Sequence, residues 1–275
     1  MKIVVLSDHS QTQANAAAGK RQADFEWGRA NYEAQRALLD LRKSSLAAKS
    51  KALWSEQRYF AWLFSFVPRL LDLFSVKPAP PVKEEAQRDE MVWNAGADGE
   101  QRVKDAMDRQ LGDEWVAVSG YKNPGGEIDL LLVGPDGVLA IEIKFLNGEV
   151  SCEGDRWWRN KSDKYGNVVE RNVPIADKGG RGPSEQVNAA ASRLQRFLAE
   201  RSPLKYVHCA VVLSHPLSSI GVLRSVTVDA VATLDSFHPR AILTKGFGER
   251  PKCSPDDLVR LITQDHHYHA RRGKR

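Results

Sequence analysis

Glu142 and Lys144 are residues whose types and spacing could do chemistry together. They lie two positions apart in Val138–Phe145, VLAIEIKF, where polar and apolar residues alternate as they do in a strand. Side chains two positions apart on a strand point to the same face of a sheet, so Glu142 and Lys144 share one face and Ile141 and Ile143 the other.

A third charged residue, Asp129, lies in the preceding apolar segment Glu127–Val133, EIDLLLV. The four residues GPDG, Gly134–Gly137, separate the two segments and form a strong turn signal. We therefore predict a hairpin that brings Asp129 beside Glu142 on the same face.

Two carboxylates side by side repel each other at neutral pH unless a cation lies between them. Oxygen ligands of this kind suit Mg²⁺ or Mn²⁺, and such an ion can activate a bound water and hold a phosphate oxygen. The Lys144 ammonium group would offset charge in the transition state of phosphoryl transfer. The alternative is structural, because a half-exposed strand alternates polar and apolar residues anyway and Glu–Lys pairs stabilise sheets.

Glu100 and Gln186 are two further candidates, each near the start of a predicted helix. Glu100 falls in the first turn of a helix expected from an Asp98 N-cap to about Leu111, where the helix dipole favours a carboxylate without any function. Gln186 opens a helix expected over Pro183–Arg201 and falls on its apolar face. An amide on an apolar face needs a polar partner, and a site between helix and sheet would supply one.

A basic and aromatic segment, Asp155–Asn167 (DRWWRNKSDKYGN), follows the predicted hairpin. Basic side chains neutralise phosphates and aromatic rings stack on unpaired bases, although a tryptophan that covers the sheet among solvated charges explains the segment equally well. The glycine-rich loop DKGGRG, Asp177–Gly182, has the flexibility and charge to close over a backbone phosphate, and the alternative is a plain surface loop. The candidate nucleic-acid-binding residues are Arg156, Trp158, Arg159, Lys161, Lys178 and Arg181.

The composition predicts two regions, a helical region over residues 1–92 and an α/β domain over 93–275 with a basic C-terminal tail. Gln22–Glu56 is rich in good helix formers, and the proline-rich and charged stretch 77–90 predicts a linker. Tyr59–Val76 is apolar nearly all round, with Pro68, Arg69 and Asp72 as interruptions. Three interpretations stay open for it: a membrane-spanning or re-entrant segment, a helix that binds a membrane surface or a protein partner, or a helix packed on its own core.

The overall composition excludes wholesale disorder and a polytopic membrane protein. Of 275 residues, 42% are hydrophobic and 27% charged, and 40 Lys+Arg against 35 Asp+Glu give a net charge of +5. This charge favours polyanionic partners weakly. Three scattered cysteines suit a reducing compartment, and the short apolar run at the N-terminus is not typical of a signal peptide. We expect a cytoplasmic protein, membrane-associated if Tyr59–Val76 binds a membrane.

Four ordered motifs, GADGEQRV, GGEIDLLLVGPDGVLAIEIKFLNGEV, a tryptophan pair and GPSEQV, resemble the nuclease-related domain, NERD. The similarity covers about Trp93 to Ser214, and the family is placed in the PD-(D/E)xK nuclease-like superfamily. It implies a restriction-endonuclease-like αβββαβ core with a mixed sheet and divalent-metal-dependent action on nucleic acid. Leu130 stands where many members have histidine. The residues that match the family's proposed active-site positions are Glu100, Asp129, Glu142, Lys144 and Gln186.

We therefore expect a nuclease that hydrolyses phosphodiester bonds, in DNA rather than RNA, with Mg²⁺ or Mn²⁺ as cofactor. Asp129 and Glu142 would bind the metal with the Ile143 carbonyl, and Glu100 would hold a second ion or a metal-bound water. Lys144 would position the attacking water, and Gln186 would orient Lys144 or contact a phosphate. The alternative is a non-catalytic nucleic-acid-binding or scaffolding module, recruited to a membrane or a partner through its N-terminal helices.

Overall fold

The computed structural model describes residues 1–7, 9–68, 78–82, 88–244 and 253–272. The chain divides into two compact units. The first, which we call the core unit, comprises Met1–Gln13 and Val92–Arg275, and the second, the helical unit, comprises Ala14–Met91.

The helical unit contains most of a 47-residue helix, α1 (His9–Ser55), and a short helix, α2 (Tyr59–Phe64). The predicted helix Gln22–Glu56 lies almost entirely within α1. The Trp54 ring packs against Tyr59 and Trp62, at centroid distances of 5.4 and 4.8 Å, so aromatic contacts join the two helices.

Exposed apolar residues of α2, together with Val67 just after it, form a surface that we call the α2 stripe. No residue of α2 is buried, and Phe60, Leu63, Phe64 and Val67 expose 84%, 61%, 71% and 48% of their surface. Positions 69–76 of the apolar segment lie outside the described residues, as do positions 77 and 83–87 of the predicted linker. Among the helices described, none has the length and apolar character needed to cross a membrane.

The core unit is built on two sheets. The first has six strands in the order β1-β2-β3-β4-β8-β10, with β2, β3 and β4 antiparallel and β1, β8 and β10 each parallel to a neighbour. The second has four strands in the order β7-β6-β5-β9. The strands are β1 (Lys2–Val5), β2 (Val116–Asn123), β3 (Gly126–Gly134), β4 (Gly137–Lys144), β5 (Gly148–Glu153), β6 (Arg156–Ser162), β7 (Val168–Pro174), β8 (Val207–Leu213), β9 (Ser218–Arg224) and β10 (Ala230–Thr233).

Helices cover both faces of the first sheet. One face packs against α4 (Pro183–Ala199) and α6 (Pro255–Arg272), and the other against α3 (Arg88–Gln110) and α5 (Pro239–Leu243). The order α3-β2-β3-β4-α4-β8 is the predicted αβββαβ order, with β5, β6 and β7 inserted before α4. The predicted α/β fold with a mixed sheet is therefore confirmed.

The second sheet packs on the α4 face of the first sheet, beside β8. Its side chains Val150, Cys152 and Trp157 form an apolar cluster with Val211 and Leu213 of β8. Since Val211 and Leu213 are the register partners of Glu142 and Lys144, the second sheet borders the part of β4 where the candidate residues lie.

Local predictions differ from the structure in two places. α3 begins at Arg88, so Asp98 is inside the helix rather than its N-cap, because helical sequence upstream overrides the capping pattern. Lys2–Val5 lies in the region predicted to be helical, but its apolar residues form a strand beside β2.

Candidate active site

Asp129 lies where β3 and β4 separate. The ladder between these strands runs from Gly134 opposite Gly137 to Leu130 opposite Ile141 and ends there. Beyond that point, Asp129 Oδ2 accepts a hydrogen bond of 2.7 Å from the Ile143 amide. A side chain thus replaces the backbone partner that Ile143 lacks, and this bond fixes the Asp129 carboxylate against β4.

Glu142, Lys144 and Gln186 form a chain of hydrogen bonds on the α4 face. Lys144 Nζ donates to Glu142 Oε1 at 2.6 Å and to Gln186 Oε1 at 3.1 Å. Glu142 is only 4% exposed, whereas the Lys144 side chain is partly accessible. The predicted same-face arrangement of Glu142 and Lys144 is the one that the structure has, and Ile141 and Ile143 pack on the α3 face.

Burial and like charge perturb both carboxylates. Burial and the nearby Asp129 charge raise the pKa of Glu142 to about 8, and burial likewise raises the pKa of Asp129. Burial opposes the ammonium form of Lys144, but the charges of Glu142 and Asp129 outweigh this effect and raise the Lys144 pKa. The site therefore disfavours two charged carboxylates at once beside a single ammonium group.

The first turn of α4 holds Gln186 in one orientation. Its Nε2 donates to the Arg181 carbonyl at 2.7 Å, so its Oε1 is left to accept from Lys144. The loop that supplies this carbonyl is organised by Asp177, whose Oδ1 accepts from the amides of Gly179 and Arg181 at 2.8 and 2.9 Å. These bonds depress the Asp177 pKa, with the Arg181 amide as the largest cause.

Glu100 lies near the middle of α3 rather than in its first turn. A Cβ atom at Gly99 would lie 2.8 Å from Ser214 Oγ and 2.9 Å from Phe145 Cβ, so glycine allows α3 to approach the ends of β4 and β8. Glu100 Oε2 is 3.9 Å from Lys104 Nζ, and both side chains are largely buried. The structure therefore pairs Glu100 with Lys104 in the α3 layer, whereas Glu142 and Lys144 face α4.

The sequence analysis overlooked two charged residues near the site, Lys104 and Glu127. The Lys104 charge lowers, and the Glu127 charge raises, the pKa of Asp129, although burial is the dominant cause of its shift. Glu127 is itself paired with Lys122 at 3.0 Å. Spacing could have identified both, because Lys104 is four positions after Glu100 on a helix and Glu127 is two before Asp129 on a strand.

The donor set fits a hard divalent cation held by few protein ligands. In the part of the chain that the structure describes, no group of three or more His, Cys, Asp or Glu side chains could hold a metal ion. Asp129 and Glu142 provide two carboxylates, and their mutual repulsion is the electrostatic problem that a bound cation would relieve. Mg²⁺ commonly binds through one or two carboxylates and keeps several waters.

The predicted nucleic-acid-binding residues lie on the second sheet and in the loop before α4. Lys161 pairs with Glu170 at 3.7 Å and Arg181 with Asp177 at 2.8 Å. Half-buried Arg159 has a structural contact, since it donates to Asn147 Oδ1 at 3.1 Å. The other three predicted residues are Arg156 and Lys178, which are exposed, and Trp158, which is half-buried.

The neighbouring tryptophans Trp157 and Trp158 have different environments. Trp157 is buried, and its Nε1 donates to Ser184 Oγ at 2.9 Å at the start of α4. Because consecutive residues on a strand face opposite sides, Trp158 points away from this contact. Trp157 thus has the structural role that the alternative interpretation gave to a tryptophan here.

The fold and the site define a mixed α/β protein with a nuclease-like core and a buried acidic cluster beside a lysine. Residues 95–214 match the family model of the nuclease-related domain, which confirms the predicted resemblance. No curated protein and no solved structure matches the chain.

Proposed function

We propose that this protein is a divalent-metal-dependent nuclease that hydrolyses phosphodiester bonds, with DNA as the first candidate substrate. The observation that carries the proposal is the buried cluster of Asp129, Glu142 and Lys144, joined to Gln186 by the 3.1 Å bond from Lys144. Burial raises the pKa values of both carboxylates, and the Asp129 charge adds to the shift of Glu142, which suits a site that acts on a bound ion.

Asp129 and Glu142 would hold Mg²⁺ or Mn²⁺, which when bound supplies an activated water and polarises a phosphate oxygen. Ile143 holds the Asp129 carboxylate through its amide, and its carbonyl is the third candidate ligand. Glu100 stays a candidate only for an outer position, because it lies in the α3 layer beside Lys104.

Lys144 is placed to position the attacking water and to offset negative charge on the phosphate. Its ammonium group has three donors, of which two are directed at Glu142 and Gln186. Gln186 is held by the Arg181 carbonyl, so it fixes the direction of the third donor. Such preorganised donors stabilise developing charge without having to reorient during the reaction.

A cleavage assay on supercoiled plasmid and single-stranded DNA, with Mg²⁺, Mn²⁺ or chelator, tests the proposal. We expect metal-dependent cleavage by the wild type and its loss in Lys144→Ala and Asp129→Ala. Lys205→Ala removes an exposed lysine as a matched control and should cleave normally. Unchanged cleavage by Lys144→Ala with intact folding would contradict the proposal.

The α2 stripe favours a second candidate function, a non-catalytic nucleic-acid-binding module recruited to a membrane surface or a protein partner. Phe60, Leu63, Phe64 and Val67 follow the spacing of one helix face and are exposed. Binding to anionic vesicles that is lost in the double variant F60S/F64S, and kept in Leu38→Ser of α1, would support the membrane form. If the protein neither cleaves nucleic acid nor binds vesicles, recruitment to a protein partner would be the remaining form of this second function.

A further inference from the structure

A cleft of about 580 Å³ opens beside the second sheet, where β6 begins and β7 ends. Trp157 and Trp158 of β6 both line the cleft; Trp157 is buried, whereas Trp158 is half-buried and lies opposite Pro174 of β7 in the strand register. The loop before α4 forms the other wall, through Ile175, Gly180 and Gly182. The cleft is thus a mainly apolar slot in which one wall includes an indole ring.

The acidic residues of the cleft are already engaged in local structure. Asp155 Oδ1 accepts a hydrogen bond of 2.6 Å from Ser184 Oγ and another from Thr227 Oγ1. Glu185 Oε2 accepts from the Gly182 amide at 2.8 Å. These carboxylates hold the first turn of α4 in place, so they are bound within the wall of the cleft.

One basic residue lines the cleft and two more lie in the loop that forms its second wall. Arg156 lines the cleft with a side chain that is 84% exposed, and Lys178 and Arg181 lie in the loop that forms the second wall. A flat apolar slot with cations at its rim matches the two parts of a nucleotide, an uncharged base and a charged phosphate.

The cleft also adjoins the candidate active site through one helical turn. Glu185 lines the cleft, and the next residue, Gln186, accepts the hydrogen bond from Lys144. The Arg181 carbonyl that orients Gln186 belongs to the loop that walls the cleft. A strand seated in the cleft would therefore pass close to Lys144.

We propose that this cleft binds one unpaired base of a nucleic-acid strand by stacking it on the Trp158 ring. The proposal rests on the proposed action on nucleic acid and adds that the substrate has an unpaired nucleotide beside the cleavage site. Stacking requires no sequence-specific hydrogen bond, so the cleft would accept any base.

The test compares the affinity of the full-length protein for two single-stranded DNA oligonucleotides of equal length, in chelator so that neither is cleaved. One carries ordinary bases and the other carries abasic sites at its central positions, so the two have equal backbone charge. The wild type should prefer the ordinary oligonucleotide, and Trp158→Ala should lose about 5- to 100-fold in affinity for it while binding the abasic one unchanged.

Two controls separate stacking from damage to the fold. Trp158→Phe keeps a stacking ring and should retain part of the preference. Tyr165→Ala removes an aromatic ring that is 77% exposed in the turn between β6 and β7, outside the cleft, and should bind both oligonucleotides as the wild type does. A 2-aminopurine base in the ordinary oligonucleotide gives a readout in the wild type alone, since stacking on Trp158 should quench its fluorescence.

Equal affinity of the wild type for both oligonucleotides, with no quenching, would overturn the cleft proposal and leave nucleic-acid cleavage intact. Failure to bind either oligonucleotide at low salt would also overturn it. The plasmid cleavage assay then shows separately whether the proposed nuclease function fails as well.

Discussion

The two sheets of the core unit differ in whether their charged side chains are buried or exposed. In the first sheet, β4 and β8 are buried almost throughout, and Glu142 lies among apolar residues at 4% exposure. In the second sheet, β7 exposes six of its seven residues, and Glu170, one of its two charged residues, pairs with Lys161 at the surface.

This difference separates two physical tasks. Catalytic groups must be fixed and poorly solvated, because only then do charges shift one another's pKa values strongly. Groups that bind a long polyanion must be reachable and solvated, so that they meet many phosphates at small cost. The contact between β8 and the second sheet brings the proposed catalytic residues close to the proposed nucleic-acid-binding surface.

The largest expected effect is the loss of catalysis in Asp129→Asn without loss of stability. The amide oxygen can still accept from Ile143, while one of two repelling buried carboxylates is removed. We expect cleavage to fall by at least about a thousandfold, since metal-based charge stabilisation supplies several kcal/mol. The melting temperature should stay the same or rise, as it often does when a functional site is neutralised.

Cleavage rates in Mg²⁺ and thermal melts in chelator check this prediction. Both are measured on the same protein preparations. A variant that melts well below the wild type would show that Asp129 stabilises the fold, and so would contradict the distinction between the sheets.

The next largest effect should separate the two tryptophans of β6. Trp157→Ala removes a buried ring and a hydrogen bond to Ser184, so the free energy of unfolding should fall by about 3–5 kcal/mol. Trp158→Ala removes a half-buried ring at the cleft and should cost less than half as much. Urea unfolding of both variants measures the difference, and equal losses would mean that Trp158 is also a core residue.

Much of the first sheet could be predicted because its sequence follows simple periods. Strict alternation and the GPDG turn predict the β3–β4 hairpin, and the phase of Glu142 and Lys144 follows from it. The second sheet was not predicted, because β7 has no apolar face of its own. Its sequence VVERNVP is exposed at nearly every position, so it lacks the pattern of a half-buried strand.

The candidate site was most directly predictable where its residues share one strand or one hairpin. The meeting of Lys144 with Gln186 joins residues 42 positions apart, and helix phase alone indicated which way Gln186 faces. Glu100 shows the limit of such reasoning. Its predicted first-turn position depended on an Asp98 cap, but α3 continues upstream to Arg88 and places Glu100 beside Lys104.

A smaller effect should appear in how the contribution of Asp229 to the free energy of unfolding depends on pH. Asp229 lies just before β10. Burial favours its neutral form, but a hydrogen bond from His208 and one of 2.8 Å from the Cys209 amide outweigh this and lower its pKa. A lowered pKa in the folded state means that the carboxylate stabilises the protein above its unfolded pKa, near 4. This contribution disappears as the pH falls through the folded-state value.

The free energies of unfolding of the wild type and Asp229→Asn should therefore converge as the pH is lowered from 6 to 3. Urea titrations across that range measure the gap. A gap that stays constant or widens in acid would mean that the Asp229 charge does not stabilise the fold. Asp229 would then no longer contrast with Asp129 as a carboxylate whose charge stabilises the fold. Burial raises the pKa of Asp129.

The smallest expected effect is on the salt dependence of single-stranded DNA binding. Lys178 is exposed in the loop beside the cleft, and replacing it with glutamine removes one candidate phosphate contact. Each lost contact should lower the slope of log K against log salt by about 0.7 for a single strand, with little change between sequences. Lys205→Gln removes an exposed lysine just before β8 and should leave the slope unchanged. Equal slopes for the wild type and both variants would exclude Lys178 from the path of the nucleic acid and would confine binding to the cleft and the Arg156 side of the second sheet.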